Sequence, residues 1–587
     1  MLDSHAMPQV VFGCLDSQSW QLVLKDASAV VEARRLDEVL PLLQFAEAEA
    51  RAGAFVAVMI SYEAAPAFDS ALSVHEANQF PLAWAAVFRG PIDTSEQPRG
   101  SFTAGEWTPK IRKSEYDSAV AHIRDLIAAG DTYQVNYSFP LTASFSGDAY
   151  AWYRELCVAQ GAAYSTYLDT GRYRVLSLSP ELFFERRRDR VTTRPMKGTV
   201  RRGRWPVEDE ELARWLQNSV KDRAENIMIV DLLRNDLGKV SVPGSVHVSS
   251  LFKPERYETV WQMTSTVEAT LRPNTSLAEL MSALFPCGSI TGAPKIRTME
   301  IIRELERFPR GAYTGAIGLL RPGDKCVFSV AIRTVVIDTH MNVATFGVGG
   351  GVTIDSTAEG EYEECLVKSR FLQQKPVEFE LFETMLLEDG EIFLRERHLE
   401  RLKKSAAFFG FVISVELEQA FREYPAETAK LKVSLRKDGR VTTELSPINN
   451  SSELKRVALA SAPVKSSDRF LFHKTTQRDF YTREVKARPD CDDIIFYNER
   501  GELTESSIAN LVVSIDDQLF TPTVSCGLLA GTFRDELLEK GKIKERVITI
   551  AELKAAKEIF LINSVRKWMK VQLVVEQDLS ARASKLL

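Results

Sequence analysis

The residues of this chain that could do chemistry fall into short polar segments that a folded core does not need. Residues 193–202, TRPMKGTVRR, set Lys197 before a glycine and two arginines; on its own this pattern reads first as a solvated turn. Residues 286–295, PCGSITGAPK, mix glycines with small hydroxyls, so backbone N–H groups could approach an anion closely. Within 221–236, KDRAENIMIVDLLRND, Asp222 and Glu225 lie three apart and share a helix face; Glu361 and Glu364 in EGEYEE do the same. Such pairs serve either as salt-bridged surface or, on separate helices facing one another, as ligands for Mg2+, which prefers carboxylates and water. Farther along, Lys474, Glu505 and Arg401 read singly as a surface lysine, a hairpin end and a helix-surface charge. LLAGTFRDEL, 528–537, offers a glycine before a helix N-terminus, a natural phosphate site.

Elements that could position these groups follow from the hydrophobic pattern. Residues 55–61, FVAVMIS, read as a buried strand. Residues 113–129 place Tyr116, Val120, Ile123 and Ile127 at helical spacing, and Gly130-Asp131 stops that helix. Residues 172–178 and 190–194 read as strands on either side of the Ser179-Pro180 turn. Residues 210–237 read as one long helix. Residues 326–338 and 343–348 read as neighbouring strands before the glycines of 347–351. A second organisation begins near Lys375. Residues 379–387 and 392–394 form a hairpin about Asp389-Gly390, and a helix follows over 397–409. The stretch 371–376 holds Pro376 but no glycine- or serine-rich spacer, which predicts a short, close junction.

Composition sets the limits. The chain has 587 residues, 45% hydrophobic and 26% charged, with net charge −6. This is the profile of a globular protein with ample core, and it gives no electrostatic attraction to nucleic acid or an anionic membrane. No run approaches the roughly 20 apolar residues of a membrane span, and the first 20 residues lack the basic-then-apolar pattern of a signal peptide. Seven scattered cysteines without a CxxC pair predict reduced thiols and a cytoplasmic protein. Seven histidines without an HExxH-type pairing argue against zinc.

Taken together, YQVNYSF, SLSPELFF, RPMKGTVRR, NSVKDRAENIMIVDLLRNDLG, FPCGSITGAPKIRTMEII, AYTGAIG, SVAIRT and GVGGGVTIDSTAEGEYEE resemble, in order, the chorismate-utilising enzymes. These include anthranilate synthase large subunits, aminodeoxychorismate synthase component I and isochorismate synthases. The resemblance implies a large α/β sandwich around Mg2+-bound chorismate over residues 1–374. It makes Glu225, Glu361 and Glu364 the metal region and Glu181 the acid that protonates the departing C4 hydroxyl, which calls for partial burial and a raised pKa. Gly288, Ser289, Thr291, Gly292, Ala293, Tyr313 and Arg333 would hold substrate carboxylates. Lys197 stands where anthranilate synthases usually have alanine and aminodeoxychorismate synthases have the lysine that adds to C2; such a lysine must be neutral. Gln134 stands where isochorismate-forming relatives carry a water-activating lysine, which argues against hydration. Gln262 departs from the family, whose members commonly have histidine there. No cysteine–histidine glutaminase is evident, so ammonia would come from solution or a separate glutamine amidotransferase.

The second half resembles fold-type IV pyridoxal-phosphate enzymes through FETMLLEDGEIFLRERHLERL, HKTTQRDFY, DDIIFYNERGELTESSIANLVV, LFTPTVSCGLLAGTFR and EIFLINSVR. The implied fold is a two-part α/β (α+β) domain over 375–587. Lys474 would hold the cofactor covalently and move the proton, Glu505 would face the pyridinium nitrogen, and Arg401, Thr532, Phe533 and Ser564 would bind the phosphate. Family members usually have an extra strand before the hairpin and form homodimers. Thr384 in FETM and the fusion itself favour 4-amino-4-deoxychorismate lyase. The alternative is an anthranilate synthase-like domain joined to a branched-chain or D-amino-acid aminotransferase-like domain. A regulatory protein with dead sites is disfavoured by the retained Lys197, Glu181, Lys474 and Glu505.

Overall fold

The computed structural model describes residues 9–13, 22–92, 100–374, 377–422, 424, 428–448 and 455–574. Cys14, most of the stretch read for a leader, and the junction residues Lys375 and Pro376 lie outside the described residues. The chain divides into two compact units, Met1–Arg201 with Ala213–Pro376, and Arg202–Leu212 with Val377–Leu587. A single cut at residue 374 therefore leaves out one feature: eleven residues from the first half of the sequence group with the second unit.

In the first unit the strand Phe55–Ile60 shows what an uninterrupted apolar run builds. Val56, Val58 and Ile60 join one core cluster, while Ala57 and Met59 join another. Successive side chains point to opposite faces, so both faces are buried. The strand belongs to one of two ten-stranded sheets. Between the sheets lies an apolar layer that includes Phe12, Met59, Trp84, Phe88, Val175 and Ile317. Leu36–Arg51, Val220–Gly238 and Leu277–Leu284 cover the outer face of one sheet. Lys113–Ala128, Ala149–Gln160 and Ala358–Ser369 cover the other. This is a sandwich with helices outside and sheets inside.

Two sequence expectations change here. The long helix read over 210–237 is two, Pro206–Asn218 and Val220–Gly238. Ser219 leaves helical geometry between them, and its hydroxyl caps the second by accepting from Asp222 N. The strand read over 326–338 is also two, Lys325–Val330 in one sheet and Thr334–Asp338 in the other. Arg333, at φ +50°, stands at the crossing between sheets.

The second unit has two parts. Leu381–Glu388 pairs with Glu391–Ile392 and with Ala429–Leu435, which pairs with Val441–Ser446. Asp389 and Gly390 both have positive φ, as a two-residue hairpin turn requires. Among the described residues no further strand precedes this hairpin in its sheet. Helix Arg395–Phe409 packs its Leu402, Ala406 and Phe409 on that sheet. The other part is an eight-stranded mixed sheet containing Leu503–Ser506, Asp493–Tyr497, Lys455–Leu459 and Asn510–Ile515. Among the described residues no helix is long and apolar enough to cross a membrane.

Candidate active sites

Lys197 does not lie on a solvated turn; it sits on the strand Met196–Arg201. A Cβ at Gly351 would lie 2.8 Å from Lys197 Nζ and 2.4 Å from Gln134 Nε2. Only glycine at 351 lets amine and amide meet there. Burial lowers the Lys197 pKa; Glu225 pulls it up and Lys368 pushes it down again. Gln134 is buried with both polar side-chain atoms lacking a hydrogen-bond partner. Such unmet groups are costly in a folded core, and a polar ligand beside Lys197 would satisfy them.

Glu181 follows the strand Tyr173–Ser179 and is buried. Burial lifts its pKa to about 7, although the Ser289 hydrogen bond and the Lys197 charge act against this. Ser289 Oγ donates to Glu181 Oε1 over 2.6 Å. Residues 288–293 thus act first as a wall. Gly292 and Ala293 pair with Val135 and Gln134, and a Cβ at Gly292 would fall 2.0 Å from Gln134 O. A Cβ at Gly288 would fall 2.2 Å from Leu232 Cδ2. The Thr291 hydroxyl donates back to Cys287 O over 3.2 Å.

Arg333 is a half-buried cation. Its guanidinium donates to Gln160 Oε1, and burial lowers its pKa. No ion pair joins it to a carboxylate among the described residues, which suits it to an anionic ligand. The ring of Tyr313 occupies the space a side chain at Gly347 would take, with Cγ 2.2 Å from the missing Cβ; burial pushes its phenol up to about 12.

The three acidic residues expected at a metal lie on two helices, Glu225 on Val220–Gly238 and Glu361 and Glu364 on Ala358–Ser369. Burial raises the pKa of Glu225 and of Glu361, with other carboxylates adding to both. Glu361 Oε1 accepts from Ser356 Oγ over 2.7 Å. Glu364 is held low by Lys368, whose Nζ is 2.8 Å from its Oε1. Among the described residues no three such groups converge as a complete ligand set. The donor chemistry, hard oxygens whose mutual repulsion a cation would relieve, fits Mg2+.

Lys368 was missed by sequence reasoning. Its half-buried ammonium donates to Gly349 O over 2.8 Å and neighbours Lys197 electrostatically. Its position one helical turn after Glu364 was the available signal. Gln262, in the place of the family histidine, pairs across strands with Thr199 and donates to Thr199 Oγ1 over 3.4 Å.

In the second unit Lys474 is held by its backbone: Phe382 N donates to Lys474 O over 3.0 Å. Its Nζ lies 5.0 Å from the centre of the Phe382 ring. Burial, aided by Arg401, lowers its pKa to about 8. Glu505 lies on Leu503–Ser506 and is lifted by burial to about 7. Tyr481 Oη donates to its Oε1 over 3.0 Å, and Leu529 N and Asn510 Nδ2 donate to its Oε2 over 3.3 and 3.4 Å. Arg401 grips Glu383 through Nε at 2.8 Å and Nη2 at 2.6 Å, and donates to Ala530 O over 3.0 Å. Burial would lift Glu383, but Arg401 and His398 hold it down at about 2. His398 also reaches Thr532 Oγ1, 3.1 Å away. This network fixes Arg401 beside helix Thr532–Glu539, whose first N–H groups, those of Thr532 and Phe533, suit a phosphate. Gly531 precedes them because a Cβ there would be 1.9 Å from Asn510 Oδ1. Ser564 Oγ donates to Thr384 O over 3.3 Å. Glu383, His398 and Tyr481 were not singled out from sequence, although each lies in a phrase that carries the resemblance. The lysine, the acid and the phosphate cradle fit pyridoxal phosphate.

Residues 15–374 match the chorismate binding enzyme family and residues 380–574 match amino-transferase class IV. The chain belongs to the chorismate binding enzymes and carries a class IV aminotransferase domain, which implies pyridoxal phosphate as cofactor. It is 40% identical over 299 residues to aminodeoxychorismate synthase component 1 of Salmonella typhimurium, covering 51% of this chain and 64% of that one. Against the Bacillus subtilis protein of the same name it is 39% identical over 296 residues, covering 50% and 62%. The chain thus spans somewhat under two thirds of the length of these relatives. The crystal structure of anthranilate synthase component I from Streptococcus pneumoniae superposes with a TM-score of 0.52 at 24% identity. It covers 62% of this chain and 92% of its own, and shows the fold.

Proposed function

We propose that the chain makes 4-aminobenzoate in two steps: amination of chorismate to 4-amino-4-deoxychorismate, then elimination of pyruvate. The observation that carries this reading is Lys197, a half-buried lysine whose amine meets Gln134 in the space that Gly351 leaves open and whose pKa is lowered. In the first step its neutral amine bonds to C2, the ring double bonds shift, and the C4 hydroxyl leaves as water with a proton from Glu181. Ammonia then bonds to C4, and the Lys197–C2 bond breaks as the double bonds return. Two displacements put nitrogen at C4 rather than C2. Arg333 and Tyr313 hold carboxylates, and Gln134 presents its unmet donor and acceptor to the ring substituents. Glu225, Glu361 and Glu364 would hold Mg2+, which supplies a charge partner for the ring carboxylate.

In the second step bound pyridoxal phosphate supplies an electron sink for the C4–H bond of the substrate. Lys474, poised near neutrality, takes the C4 proton; pyruvate leaves from C3 and the ring becomes aromatic. Glu505 keeps a proton at the pyridine nitrogen, and Arg401 with the Thr532 and Phe533 N–H groups anchors the phosphate. We place the protein in the cytoplasm, in keeping with its free cysteines. The family resemblance adds a homodimer through the C-terminal unit and an amidotransferase partner.

Purified chain given chorismate, Mg2+, ammonium and pyridoxal phosphate is expected to release 4-aminobenzoate and pyruvate, and to be inert with glutamine until an amidotransferase is added. Formation of 2-aminobenzoate, or turnover of glutamine by the single chain, overturns the assignment.

Glu181 sets the pH dependence. With ammonium as donor, the neutral ammonia fraction rises with pH while protonated Glu181 declines above about 7. The amination rate is expected to climb toward pH 7 and then flatten. Glu181→Gln is expected to lower amination kcat by about 10²–10⁴-fold, the scale of a lost general acid. Stability gives a second readout. A carboxyl raised from its ordinary value to about 7 favours the fold below the ordinary value and loses that contribution as pH rises through 7. Relative to wild type, Glu181→Gln is therefore expected to melt higher at pH 8 than at pH 5. An unchanged kcat together with a pH-independent melting difference rules out a buried acid at this position.

A further inference from the structure

The segment Arg202–Leu212 follows the Lys197 strand directly in sequence but groups with the C-terminal unit. Within that unit it packs against the two residues that precede the cofactor lysine. The Trp205 ring stacks on Phe472, with centroids 4.9 Å apart and planes 28° from parallel. Arg204 lies over the same Phe472 ring at 5.4 Å and donates through Nη1 to Ser466 O over 3.1 Å. Arg202 lies over Phe408 at 4.6 Å and donates to Phe408 O over 3.2 Å. Arg202 also forms a buried two-pronged pair with Asp209, Nε to Oδ1 at 2.8 Å and Nη2 to Oδ2 at 2.7 Å. Phe408 in turn packs on His473 with centroids 4.4 Å apart, and Phe409 does so at 4.7 Å. Ser405 Oγ holds His473 Nδ1 at 2.9 Å. Phe472 and His473 are thus fixed between this segment and the helix Arg395–Phe409, and Lys474 is the next residue.

We propose that Arg202–Leu212 is a working part of the C-terminal enzyme, in which Trp205 and Arg202 are positioning residues that fix the Phe472–His473 backbone and so aim Lys474. Stacked rings hold the separation and tilt of their planes, and a guanidinium that also hydrogen-bonds a carbonyl fixes the distance to it. Shifts of about 1 Å at a reacting group cost up to roughly 10²-fold in rate. The class IV domain is therefore completed by residues that lie 168 to 178 positions before its own start, Leu212 and Arg202 against residue 380.

This inference rests on Lys474 as the cofactor lysine, an assignment that the loss of the visible cofactor band in Lys474→Ala tests by itself. The experiment uses the full chain loaded with pyridoxal phosphate. Trp205→Ala is compared with Trp205→Phe, which keeps a stacking ring, and Trp205→Leu, which keeps bulk without one; Arg202→Lys keeps charge but loses the fork. Three readouts are followed: the pH midpoint of the cofactor's visible band, its circular dichroism, and kcat and KM for elimination from supplied 4-amino-4-deoxychorismate. Trp205→Ala and Trp205→Leu are expected to move the midpoint, weaken the dichroism and lower kcat about tenfold or more, with KM within about twofold. Trp205→Phe is expected to return all three close to wild type. If Trp205→Ala fails to fold, the Leu and Phe pair carries the same contrast. A folded Leu variant with an unchanged midpoint, dichroism and kcat overturns the proposal, as does a Phe variant no better than Leu.

Discussion

Lys197→Ala is expected to abolish amination at C4 while leaving the protein folded and able to bind chorismate. The argument is chemical. Only a group that bonds to C2 and then leaves can direct ammonia to C4 by two displacements, and the lysine nearest to Lys197 in charge is not suited to that role. Lys368, a half-buried ammonium nearby, is raised rather than lowered: burial pushes its pKa down, but Glu364 more than restores it. It stays charged and cannot add. Removing a covalent nucleophile costs about 10⁴–10⁶-fold in other enzymes of this logic. A fall of that scale in 4-amino-4-deoxychorismate formation, read by product analysis in saturating ammonium, is the expected result. A trace of 2-aminobenzoate is compatible with it, because alanine is the anthranilate-synthase residue at this place and ammonia then has direct access to C2. Wild-type rates of 4-amination in the variant would end the covalent role, whatever the fate of the C-terminal activity.

What could be read from the sequence depended on whether the signal was local. Phe55–Ile60 was legible because burial on both faces leaves an unbroken apolar run. The hairpin at Asp389-Gly390 was legible because the turn chemistry sits in two adjacent residues. Ser219 was not, since a serine inside a helical pattern becomes a cap only when the chain must change direction there. The crossing at Arg333 was hidden for a related reason: 326–338 is rich in apolar and β-branched residues on both sides of Arg333, and only the existence of two sheets makes the chain step between them. In the sites, the residues carried by family phrases came as single positions, and their partners did not. Ser289 and Glu181 were each named but not as a pair, being far apart in sequence, and neither Lys368 beside Lys197 nor Glu383 between His398 and Arg401 was singled out from sequence. The segment Arg202–Leu212 is the strongest case. Only its last residues, from Glu210, fell within a helix read from sequence, and nothing nearby in sequence says that Trp205 belongs to the core around Phe472.

Lys474→Ala is expected to erase the visible cofactor band and to stop formation of 4-aminobenzoate, while chorismate is still converted and 4-amino-4-deoxychorismate accumulates. Lys474 combines two requirements that no neighbour duplicates. Its amine is brought to about 8 by burial and by the Arg401 charge, so that near neutrality it passes readily between proton acceptor and donor. Its backbone is fixed by the bond from Phe382 N and, on the preceding residues, by the stack on Phe472 and His473. Arg401 cannot replace it, since Glu383 keeps that guanidinium charged. Glu505 cannot either, since its carboxylate is occupied by Tyr481, Leu529 and Asn510. The expected loss is again about 10⁴-fold or more in the elimination rate, measured by pyruvate release from supplied 4-amino-4-deoxychorismate. Added pyridoxal phosphate is expected to bind the variant through the Arg401 and Thr532 cradle without restoring the rate. The first reaction serves as the internal control, because its lysine lies on the strand Met196–Arg201 of the other unit. Retention of normal 4-aminobenzoate output by Lys474→Ala would remove the lyase assignment; loss of both reactions at once would mean that the two sites do not operate as separate catalysts.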